Sequence, residues 1–391
     1  MKYDFDKETI RRGTQCVKWD EAADPEVLPM WVADMDFEVA PCIAEVLQKR
    51  VAHGIFGYAL VPESYYEAVI GWFSRRHGWN IQRDWILYTS GVVPAMSCAI
   101  KALCMPGEKV LIQTPVYNCF FSSIHNNGCQ VVENELRRTG DTYEIDFEDF
   151  ERKCADEKTT LFLLCNPHNP AGRVWSKAEL QHMNDICMRH GVRVVSDEIH
   201  CELVMPGCVY TPFAAAADDC QRNSITLSSP SKSFNTAGLQ IANIVCQDAE
   251  VRRRIDRAIN INEVCDVNPF GPIALEAAYN EGEEWLDELN QYLYQNYLAL
   301  KEFFANRLPQ LQVMRLEGTY LVWVDIRSLG LSSDGLTEKL LNEGKVFVNS
   351  GTMYGRKAGE GYIRINIACP RSRMLEGLER IATVIGKLNK K

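Results

Sequence analysis

The stretch that decides the fold covers residues 160–200 and reads TLFLLCNPHNPAGRVWSKAELQHMNDICMRHGVRVVSDEIH. Two short apolar runs, 160–165 and 192–196, have the length and composition of buried strands. Between them, residues 176–190 show helical spacing, and Gly191 is the residue type favoured just after a helix. A strand, a helix and a second strand in this order predict a parallel sheet that is covered by helices on both faces.

The same alternation continues on both sides of this stretch. Apolar runs at 85–89, 109–113, 130–133 and 224–227 predict further strands, and a helical pattern after the first of them runs to Met105. We therefore predict the α/β class, with a three-layer α/β/α large domain on a mostly parallel sheet and a smaller α+β domain.

The C-terminal part of the chain has a different pattern. Residues 285–308 form one long helical stretch, strand patterns follow at 319–326, 346–349 and 361–367, and residues 373–388 predict a closing helix. We expect the N-terminal arm to pack on this part or on a neighbouring chain. The predicted segments are an arm with part of the small domain over 1–45, a large cofactor-binding domain over 46–284 and a small domain over 285–391.

Composition limits the classes of function. Of 391 residues, 46% are hydrophobic and 24% charged, which is typical of a globular protein. The net charge of −10 opposes nucleic acid as a partner. We expect no membrane association and a cytoplasmic location, because no apolar run spans a bilayer and the N-terminus is charged. The 15 cysteines, without any C-x-x-C, agree with reduced thiols in that compartment.

Common nucleotide-binding and hydrolase motifs, such as G-x-G-x-x-G and G-x-S-x-G, are missing. Polar residues instead follow the predicted strands, at the sheet edge where open α/β proteins bind ligands. Ser90-Gly91-Val92-Val93 joins a strand to a helix, and free N–H groups at a helix start can bind an anion. Tyr117 follows the next strand and could stack on a planar ring. Each feature alone also fits an ordinary turn or a packed aromatic residue.

Two further motifs follow the strands of the opening stretch. The rigid loop Asn166-Pro167-His168-Asn169-Pro170-Ala171-Gly172 can hold an Asn amide at a fixed point. The next strand ends in Asp197-Glu198-Ile199-His200, where a buried carboxylate needs a cationic partner. That partner could be a protonated ring nitrogen, or the strand end could be satisfied by ordinary polar contacts. A third interpretation is a metal cluster of Asp197, Glu198, His200 and Glu202.

Two cationic residues complete the set. Ser229 and Ser231 shortly precede a lysine, Lys232, whose amine could form an imine beside a phosphate, although a surface lysine is the ordinary alternative. Arg364 lies in an apolar strand pattern and requires an anion, either a bound carboxylate or an internal Asp or Glu. An anion site, a stacking aromatic ring, an Asn, an Asp, a Lys and an Arg are together the parts that pyridoxal phosphate (PLP) requires.

The order of the motifs N-P-H-N-P-A-G, D-E-I-H, S-S-P-S-K-S-F-N and R-I-N resembles that of the fold-type I PLP enzymes, the aspartate aminotransferase superfamily. Within it, PMWVADMDF at 29–37 and FGY at 56–58 are most similar to the MalY/PatB-type cystathionine β-lyases, a group of C–S lyases. This resemblance covers nearly the whole chain.

The resemblance implies roles for individual residues around PLP. Lys232 would carry the cofactor as an imine and later act as general base, and Asp197 would pair with the pyridine nitrogen. Asn169 would donate to the phenolic oxygen, and Tyr117 would stack on the ring. The phosphate would be contacted by Val92, Val93, Ser229 and Ser231.

The resemblance also implies partners. Tyr58 would reach the phosphate in the other subunit, so a homodimer is expected. Arg364 would bind the carboxylate of a small amino-acid substrate, and Trp31 and Ala33 would contact the substrate as well. His200, also expected at the cofactor, stands where aminotransferases have a Tyr.

These patterns favour one reaction over two alternatives. We expect α,β-elimination of L-cystathionine or a related thioether to pyruvate, ammonia and a thiol such as homocysteine. The first alternative is an aminotransferase that uses 2-oxoglutarate. It is disfavoured by His200 and by Gln240, which replaces an Arg common in aminotransferases eight residues after the Lys. The second alternative is a PLP-fold protein with a regulatory binding role.

Overall fold

The computed structural model of the chain describes residues 2–261 and 266–388. In chain order its helices are α1 Val17–Asp20, α2 Pro41–His53, α3 Glu63–His77, α4 Val92–Leu103, α5 Cys119–Asn126, α6 Phe147–Cys154, α7 Lys177–Arg189, α8 Asp218–Asn223, α9 Ala249–Asn260, α10 Gly271–Glu281, α11 Glu283–Arg307, α12 Ser333–Gly344 and α13 Arg371–Leu388. Its strands are β1 Leu28–Pro29, β2 Ile86–Thr89, β3 Lys109–Thr114, β4 Gln130–Glu135, β5 Arg137–Thr139, β6 Thr142–Glu144, β7 Thr159–Cys165, β8 Arg193–Asp197, β9 Ser224–Ser228, β10 Ala242–Val245, β11 Gln312–Val313, β12 Leu321–Asp325, β13 Val346–Phe347, β14 Asn349–Ser350 and β15 Tyr362–Asn366.

The large sheet has seven strands in the order β2-β10-β9-β8-β7-β3-β4. All pairs from β9 to β4 are parallel, which confirms the predicted α/β class and the mostly parallel sheet. Strand β10 runs antiparallel to both β2 and β9. The sequence analysis does not predict β10, because four residues with the polar Asn243 among them carry no periodic signal.

Helices cover both faces of this sheet because its strands alternate between two apolar layers. On β3, Val110 and Ile112 pack with α4, α5 and α9, whereas Leu111 packs with α6 and α7 on the opposite face. This period of two is that of a strand buried on both sides. The loops that follow β7, β8 and β9 therefore emerge together at one edge of the sheet.

Local signals set the start and end of α7 within the stretch that decides the fold. The Ser176 hydroxyl accepts a hydrogen bond from the Glu179 N–H at 3.2 Å, and the Glu179 carboxylate accepts one from the Ser176 N–H at 2.8 Å. This capping box satisfies two N–H groups that the helix leaves without acceptors. After the helix, Gly191 adopts φ +70°, which suits glycine.

A second, antiparallel sheet lies in the C-terminal part, with the strand order β11-β12-β15-β14. Its central strand β15 carries Arg364, which lies opposite Trp323 on one side and Asn349 on the other. The pattern at 346–349 divides into the short strands β13 and β14, because β13 pairs in parallel with β1 of the N-terminal arm.

The N-terminal arm packs against this C-terminal part. Besides the β1–β13 pairing, Phe5 meets Trp285 of α11 edge-on at a centroid distance of 5.6 Å. The buried Asp36 carboxylate pairs with Arg11 at 2.7 Å and with Lys18 at 3.2 Å. The division into domains after residues 45 and 284 stays a prediction, and residues 1, 262–265 and 389–391 lie outside the described part.

Over the described residues, no helix combines the length and apolar character that crossing a bilayer requires. The described cysteines are free thiols, and most of them are buried. Cys265 lies outside these residues.

Candidate active site

A cavity of about 390 Å³ opens where the carboxyl ends of β7, β8 and β9 meet the N-terminal arm and β15. The residues that line it come from motifs scattered over the whole chain. Every site residue predicted from the sequence apart from Tyr58 contributes to this lining: Trp31, Ala33, Val92, Val93, Tyr117, Asn169, Asp197, His200, Ser229, Ser231, Lys232 and Arg364. The structure therefore brings these residues together, and their individual roles toward a ligand stay predictions.

Asp197 ends β8 and faces the cavity with only 4% of its surface exposed. One of its carboxylate oxygens accepts a hydrogen bond from the Ile199 N–H at 3.1 Å. Burial raises the pKa of Asp197 to about 7, an effect that this hydrogen bond and the charge of Lys232 partly oppose. Within the described residues Asp197 has no salt bridge, so it is suited to a cationic atom of a ligand.

Glu198 points away from the cavity, because consecutive residues at a strand end face opposite sides. Its buried carboxylate accepts hydrogen bonds from the Ser196 hydroxyl at 2.7 Å, from the Phe213 N–H at 2.8 Å and from the Tyr210 hydroxyl. Burial raises the pKa of Glu198 to about 7, against the effect of these donors. This residue therefore anchors the end of β8 rather than facing a ligand.

Glu202 lies in another buried cluster. Its carboxylate accepts a hydrogen bond from Trp72 Nε1 at 2.7 Å and contacts His77 Nε2 at 2.6 Å. With Cys201, these His and Glu side chains form a group of metal-ligating types in the described part of the chain. However, Arg76 Nε lies 3.5 Å from Glu202 Oε2, and its positive charge opposes a metal ion. The predicted metal cluster of Asp197, Glu198, His200 and Glu202 is wrong for a different reason: Asp197 and His200 line the cavity, whereas Glu198 and Glu202 lie outside its described lining and bind other partners.

Lys232 follows β9 and extends its amine into the cavity, where Nζ donates a hydrogen bond to the Ala33 carbonyl at 2.6 Å. Burial lowers the pKa of Lys232, and Arg364 lowers it further, whereas Asp34 and Asp197 act in the opposite direction. A lysine with a lowered pKa supplies more of the neutral amine, which is the form that acts as nucleophile or base.

Arg364 is 3% exposed and has no carboxylate partner among the described residues, so the predicted alternative of an internal ion pair is wrong. Its guanidinium donates to Asn169 Oδ1 at 3.2 Å and to the Trp31 carbonyl at 2.7 Å, and it lies 4.8 Å from the centre of the Tyr354 ring. Its Nε atom is buried, and none of the described residues forms a hydrogen bond with it. A buried guanidinium held by neutral acceptors is suited to a carboxylate ligand.

The start of α4 forms a neutral anion site. Val92 and Val93 lie in its first turn, whose N–H groups have no acceptor within the helix. Nearby, the Ser229 hydroxyl donates to the Ile241 carbonyl at 2.7 Å and accepts from the Ser231 N–H at 3.1 Å. Ser229 thus holds its loop, while the Ser231 hydroxyl and the helix N–H groups are the donors suited to a phosphate.

The two departures from the aminotransferase pattern both face the cavity. Gln240 lines it and adds no positive charge to the anion site. His200 is 3% exposed, and its Nδ1 has no hydrogen-bond partner in the described part of the chain. Burial lowers the pKa of His200, and the charges of Lys232 and Arg364 act in the same direction, so the imidazole is neutral at pH 7.

Tyr58 lies outside the cavity and is 97% exposed. Its neighbours Ile55, Phe56 and Leu60 are also largely exposed. Within one chain Tyr58 therefore contributes nothing to the site, and its predicted role depends on a second subunit.

Sequence reasoning missed the contribution of backbone and neutral polar groups. The Ala33 and Trp31 carbonyls accept hydrogen bonds from the two cations of the cavity, and no sequence pattern marks a carbonyl. It also missed Asn235 and Asn366. Sequence features could have marked both residues. Asn235 belongs to the S-K-S-F-N motif, and Asn366 lies on the same strand face as Arg364, two residues earlier.

The residues present fit PLP. The α4 site suits a phosphate, and Asp197 is a buried carboxylate that forms no salt bridge with the residues that the structure describes. Because Asn169 Oδ1 is taken by Arg364, its amide nitrogen is the group that can donate to a phenolic oxygen. Lys232 supplies the amine that an aldehyde requires.

Comparisons with known proteins find relatives that match nearly the whole chain. The chain is 42% identical to cystathionine β-lyase PatB of Bacillus subtilis over 97% of its own length and 99% of that protein. It superposes with a TM-score of 0.95 on a PLP-bound putative aminotransferase from Clostridium difficile, at 40% identity and with 98% and 100% of the two chains covered. For the PLP-bound C–S lyase of Staphylococcus hominis the TM-score is 0.91, the identity 33% and the coverage 98% and 99%.

The family model for aminotransferase class I and II matches residues 25–381, which include the second half of the arm, the large sheet and β15. The family predicted from the sequence is thereby confirmed. With this match over most of its length and with relatives similar from end to end, the chain belongs to the aminotransferase class I and II family.

Proposed function

We propose that this protein is a PLP-dependent C–S β-lyase that cleaves the Cβ–S bond of L-cystathionine or a related thioether amino acid. The products are a thiol, pyruvate and ammonia, and one water molecule is consumed. One observation carries the proposal: a single cavity holds an amine with a lowered pKa, a buried carboxylate and a buried guanidinium, and neither of the last two forms a salt bridge with any described residue. The 42% identity to a cystathionine β-lyase supports the same reaction.

The residues divide the work of holding the cofactor and the substrate. The first turn of α4 and Ser231 hold the phosphate, Asp197 faces the ring nitrogen, and Asn169 donates to the phenolic oxygen. Tyr117 covers one face of the ring. When bound, PLP supplies a conjugated ring that accepts the electron pair of the Cα–H bond.

Lys232 is the residue that transfers protons. Its Nζ takes the proton from Cα of the substrate, and the resulting ammonium is held by the Ala33 carbonyl. Arg364 fixes the substrate carboxylate and thereby orients the Cα–H bond. The Cβ–S bond then breaks with its electron pair on sulfur, and the Lys232 ammonium is a nearby acid that can protonate the thiolate.

The proposal includes a homodimer in the cytoplasm. The exposed apolar side chains of residues 55–60 favour a surface that a second subunit covers. In such a dimer, Tyr58 of the partner subunit donates to the phosphate and adds a hydrogen bond to the neutral anion site.

An aminotransferase is the second candidate, because one of the PLP-bound structures similar to this chain is named a putative aminotransferase. The cations in the described lining of the cavity are Lys232 and Arg364. If Lys232 holds the cofactor, one cation is left for the two carboxylates of 2-oxoglutarate. This charge count favours the lyase, because the distal carboxylate of L-cystathionine is balanced by the ammonium group on the same carbon, whereas 2-oxoglutarate has no cation of its own.

The deciding experiment supplies purified protein and PLP with L-cystathionine, and measures pyruvate and free thiol. We expect equal amounts of both, and no glutamate when an amino acid and 2-oxoglutarate are supplied instead. Glutamate formation without thiol release would overturn the lyase proposal in favour of the aminotransferase. A regulatory role alone would be supported if a Lys232→Ala variant kept the cellular phenotype of the wild type.

A further inference from the structure

Residues 31–33 of the arm line one wall of the cavity and belong to a segment, residues 31–37, that we name the strap. The strap carries the backbone acceptors of both cations in the cavity. The Trp31 carbonyl accepts from Arg364 Nη2 at 2.7 Å, and the Ala33 carbonyl accepts from Lys232 Nζ at 2.6 Å. The position of the strap therefore determines where both cations are held.

Asn366 holds the strap on both sides of Ala33. Its side-chain nitrogen donates to the Val32 carbonyl at 2.5 Å and to the Asp34 carbonyl at 2.7 Å. Its side-chain oxygen accepts from the Ala368 N–H at 2.7 Å, which fixes the orientation of the amide. Asn366 is 2% exposed, so water does not replace these contacts.

Asn235 holds the other end of the strap. Its amide oxygen accepts from the Met35 N–H at 3.0 Å, and its amide nitrogen donates to the Met35 and Phe37 carbonyls at 3.1 and 2.9 Å. Its backbone adopts φ +56°, a conformation that Asn tolerates better than most residues. The loop of Lys232 and strand β15 thus hold the strap at different points.

We propose that Asn366 is a positioning residue for Lys232, because it fixes the two carbonyls that flank Ala33 and so aims the Ala33 carbonyl at the Lys232 amine. Asn366 acts through the backbone and does not touch the reacting atoms. This inference rests on the proposed function of Lys232 as base. It goes beyond that function because it assigns the control of the base to the strand that carries the substrate-binding Arg364.

The Tyr320 hydroxyl offers a second way to test the same carbonyl. It donates to the Ala33 carbonyl at 3.0 Å and therefore competes with Lys232 for this acceptor. Removal of Asn366 weakens the Lys232 hydrogen bond, whereas removal of the Tyr320 hydroxyl strengthens it. The two changes should move the properties of Lys232 in opposite directions.

The first measurement is the rate of PLP capture by the apoprotein as a function of pH, followed by absorbance. Capture requires the neutral amine of Lys232, and an acceptor for its ammonium raises the pKa. Other charges that act on this amine are those of Asp34, Asp197 and Arg364, with a contribution from Cys119, and the variants leave all four in place. We expect the midpoint to fall in Asn366→Ala and to rise in Tyr320→Phe.

The second measurement is the kinetics of cystathionine cleavage. We expect Asn366→Ala to lower kcat about tenfold, the effect of weakening one hydrogen bond to a charged group. The KM should change less than about threefold, because Asn366 binds the carbonyls of Val32 and Asp34 and not the Trp31 carbonyl that holds Arg364. Asn366→Ser, which retains one donor, should give a smaller loss of kcat and serves as the milder variant if Asn366→Ala folds poorly.

Asn296→Ala is the matched control. Asn296 is also buried and also donates to two carbonyls, those of Ile367 and Cys369, next to Asn366 in the chain, yet it does not contact the strap. We expect this variant to lose stability and to keep the wild-type midpoint and kcat. An identical midpoint in wild type, Asn366→Ala and Tyr320→Phe, or equal kinetic losses in Asn366→Ala and Asn296→Ala, would overturn the inference. Failure of the proposed function is distinguishable, since the wild type itself would then release no thiol.

Discussion

The two sides of the cavity control charge in different ways. The edge of the large sheet supplies two ionisable side chains, Asp197 and Lys232. Burial raises the pKa of Asp197 and lowers that of Lys232, so it favours the neutral form of both. The opposite side consists of the strap and β15, where Arg364 is held by a backbone carbonyl and an amide oxygen. Neutral acceptors hold a cation in place without cancelling its charge, so Arg364 keeps its attraction for a ligand carboxylate.

The largest effect is expected on the sheet side, in Lys232→Ala. Loss of the base and of the amine that attaches the cofactor should lower kcat for cystathionine cleavage by at least about 10³-fold. The visible absorption band of the PLP-loaded protein should also be lost or shifted. Thiol release in a coupled assay and an absorption spectrum measure the two effects, with Lys301→Ala, a lysine on α11 that does not line the cavity, as control. Retention of the band would show that another amine carries the cofactor.

The next largest effect concerns Asp197→Asn. Loss of the negative charge beside the ring nitrogen should lower kcat by about 10²- to 10³-fold, as for other buried charges that stabilise a transition state. Thiol release with saturating PLP measures this loss. An unchanged kcat would show that the sheet side of the cavity does not depend on the charge of Asp197, and would contradict the difference between the two sides.

The same substitution should stabilise the protein without PLP at high pH. The Asp197 carboxyl has a pKa of about 7 when folded and an ordinary value of 3.8. Between these values the unfolded chain loses a proton that the folded chain keeps, so wild-type stability falls as pH rises from 4 to 7. Urea unfolding of the two apoproteins should show no difference near pH 3.5 and an advantage for Asp197→Asn on the order of a few kcal/mol at pH 8. An advantage that does not grow with pH would contradict the burial of an ionisable Asp197.

On the strap side, Arg364→Leu should act mainly on substrate binding. Loss of a charge-assisted contact with the substrate carboxylate should lower kcat/KM about 10- to 100-fold, mostly through KM. Arg364→Lys keeps the charge without the planar fork, so its kcat/KM should lie between those of the wild type and Arg364→Leu. Steady-state kinetics with cystathionine measure the series. A pure loss of kcat with an unchanged KM would show that Arg364 serves the chemistry and not the binding.

The smallest effect is expected from Tyr58, which lies outside the cavity of its own chain. Tyr58→Phe should weaken PLP binding about five- to tenfold, the effect of one lost hydrogen bond to an anion, and should leave the dimer intact. Titration of the apoprotein with PLP and sedimentation measure these properties. A monomeric wild type, or unchanged PLP affinity, would contradict the predicted exchange of Tyr58 between subunits.

Much of the fold could be predicted because its signals are local. The run at 160–165 lies within β7, and the pattern at 176–190 brackets α7, whose start is fixed by the Ser176 capping box. Strand β10 and the split of 346–349 into β13 and β14 could not be predicted. Both depend on pairing with distant strands, which a short segment does not record.

The candidate site likewise has a part that could be predicted from the sequence and a part that could not. Side chains such as Asn169 and Lys232 stand in dense motifs at strand ends and could be found from sequence, although their roles come from the family resemblance. Strand alternation predicts that Glu198 and Asp197 face opposite sides, yet the metal interpretation placed both in one cluster. The acceptor on Ala33 could not be found, because every residue has a carbonyl and only the folded backbone selects one.

That selection has a consequence for how such a protein diversifies. The acceptor for the Lys232 amine belongs to the main chain, so it survives any change of side chain at position 33 that preserves the path of the backbone. Ala33 is also one of the residues that line the cavity, so a larger side chain at this position would change the space left for a ligand. Natural variation at this position can therefore reshape substrate preference while the partner of the base is inherited unchanged.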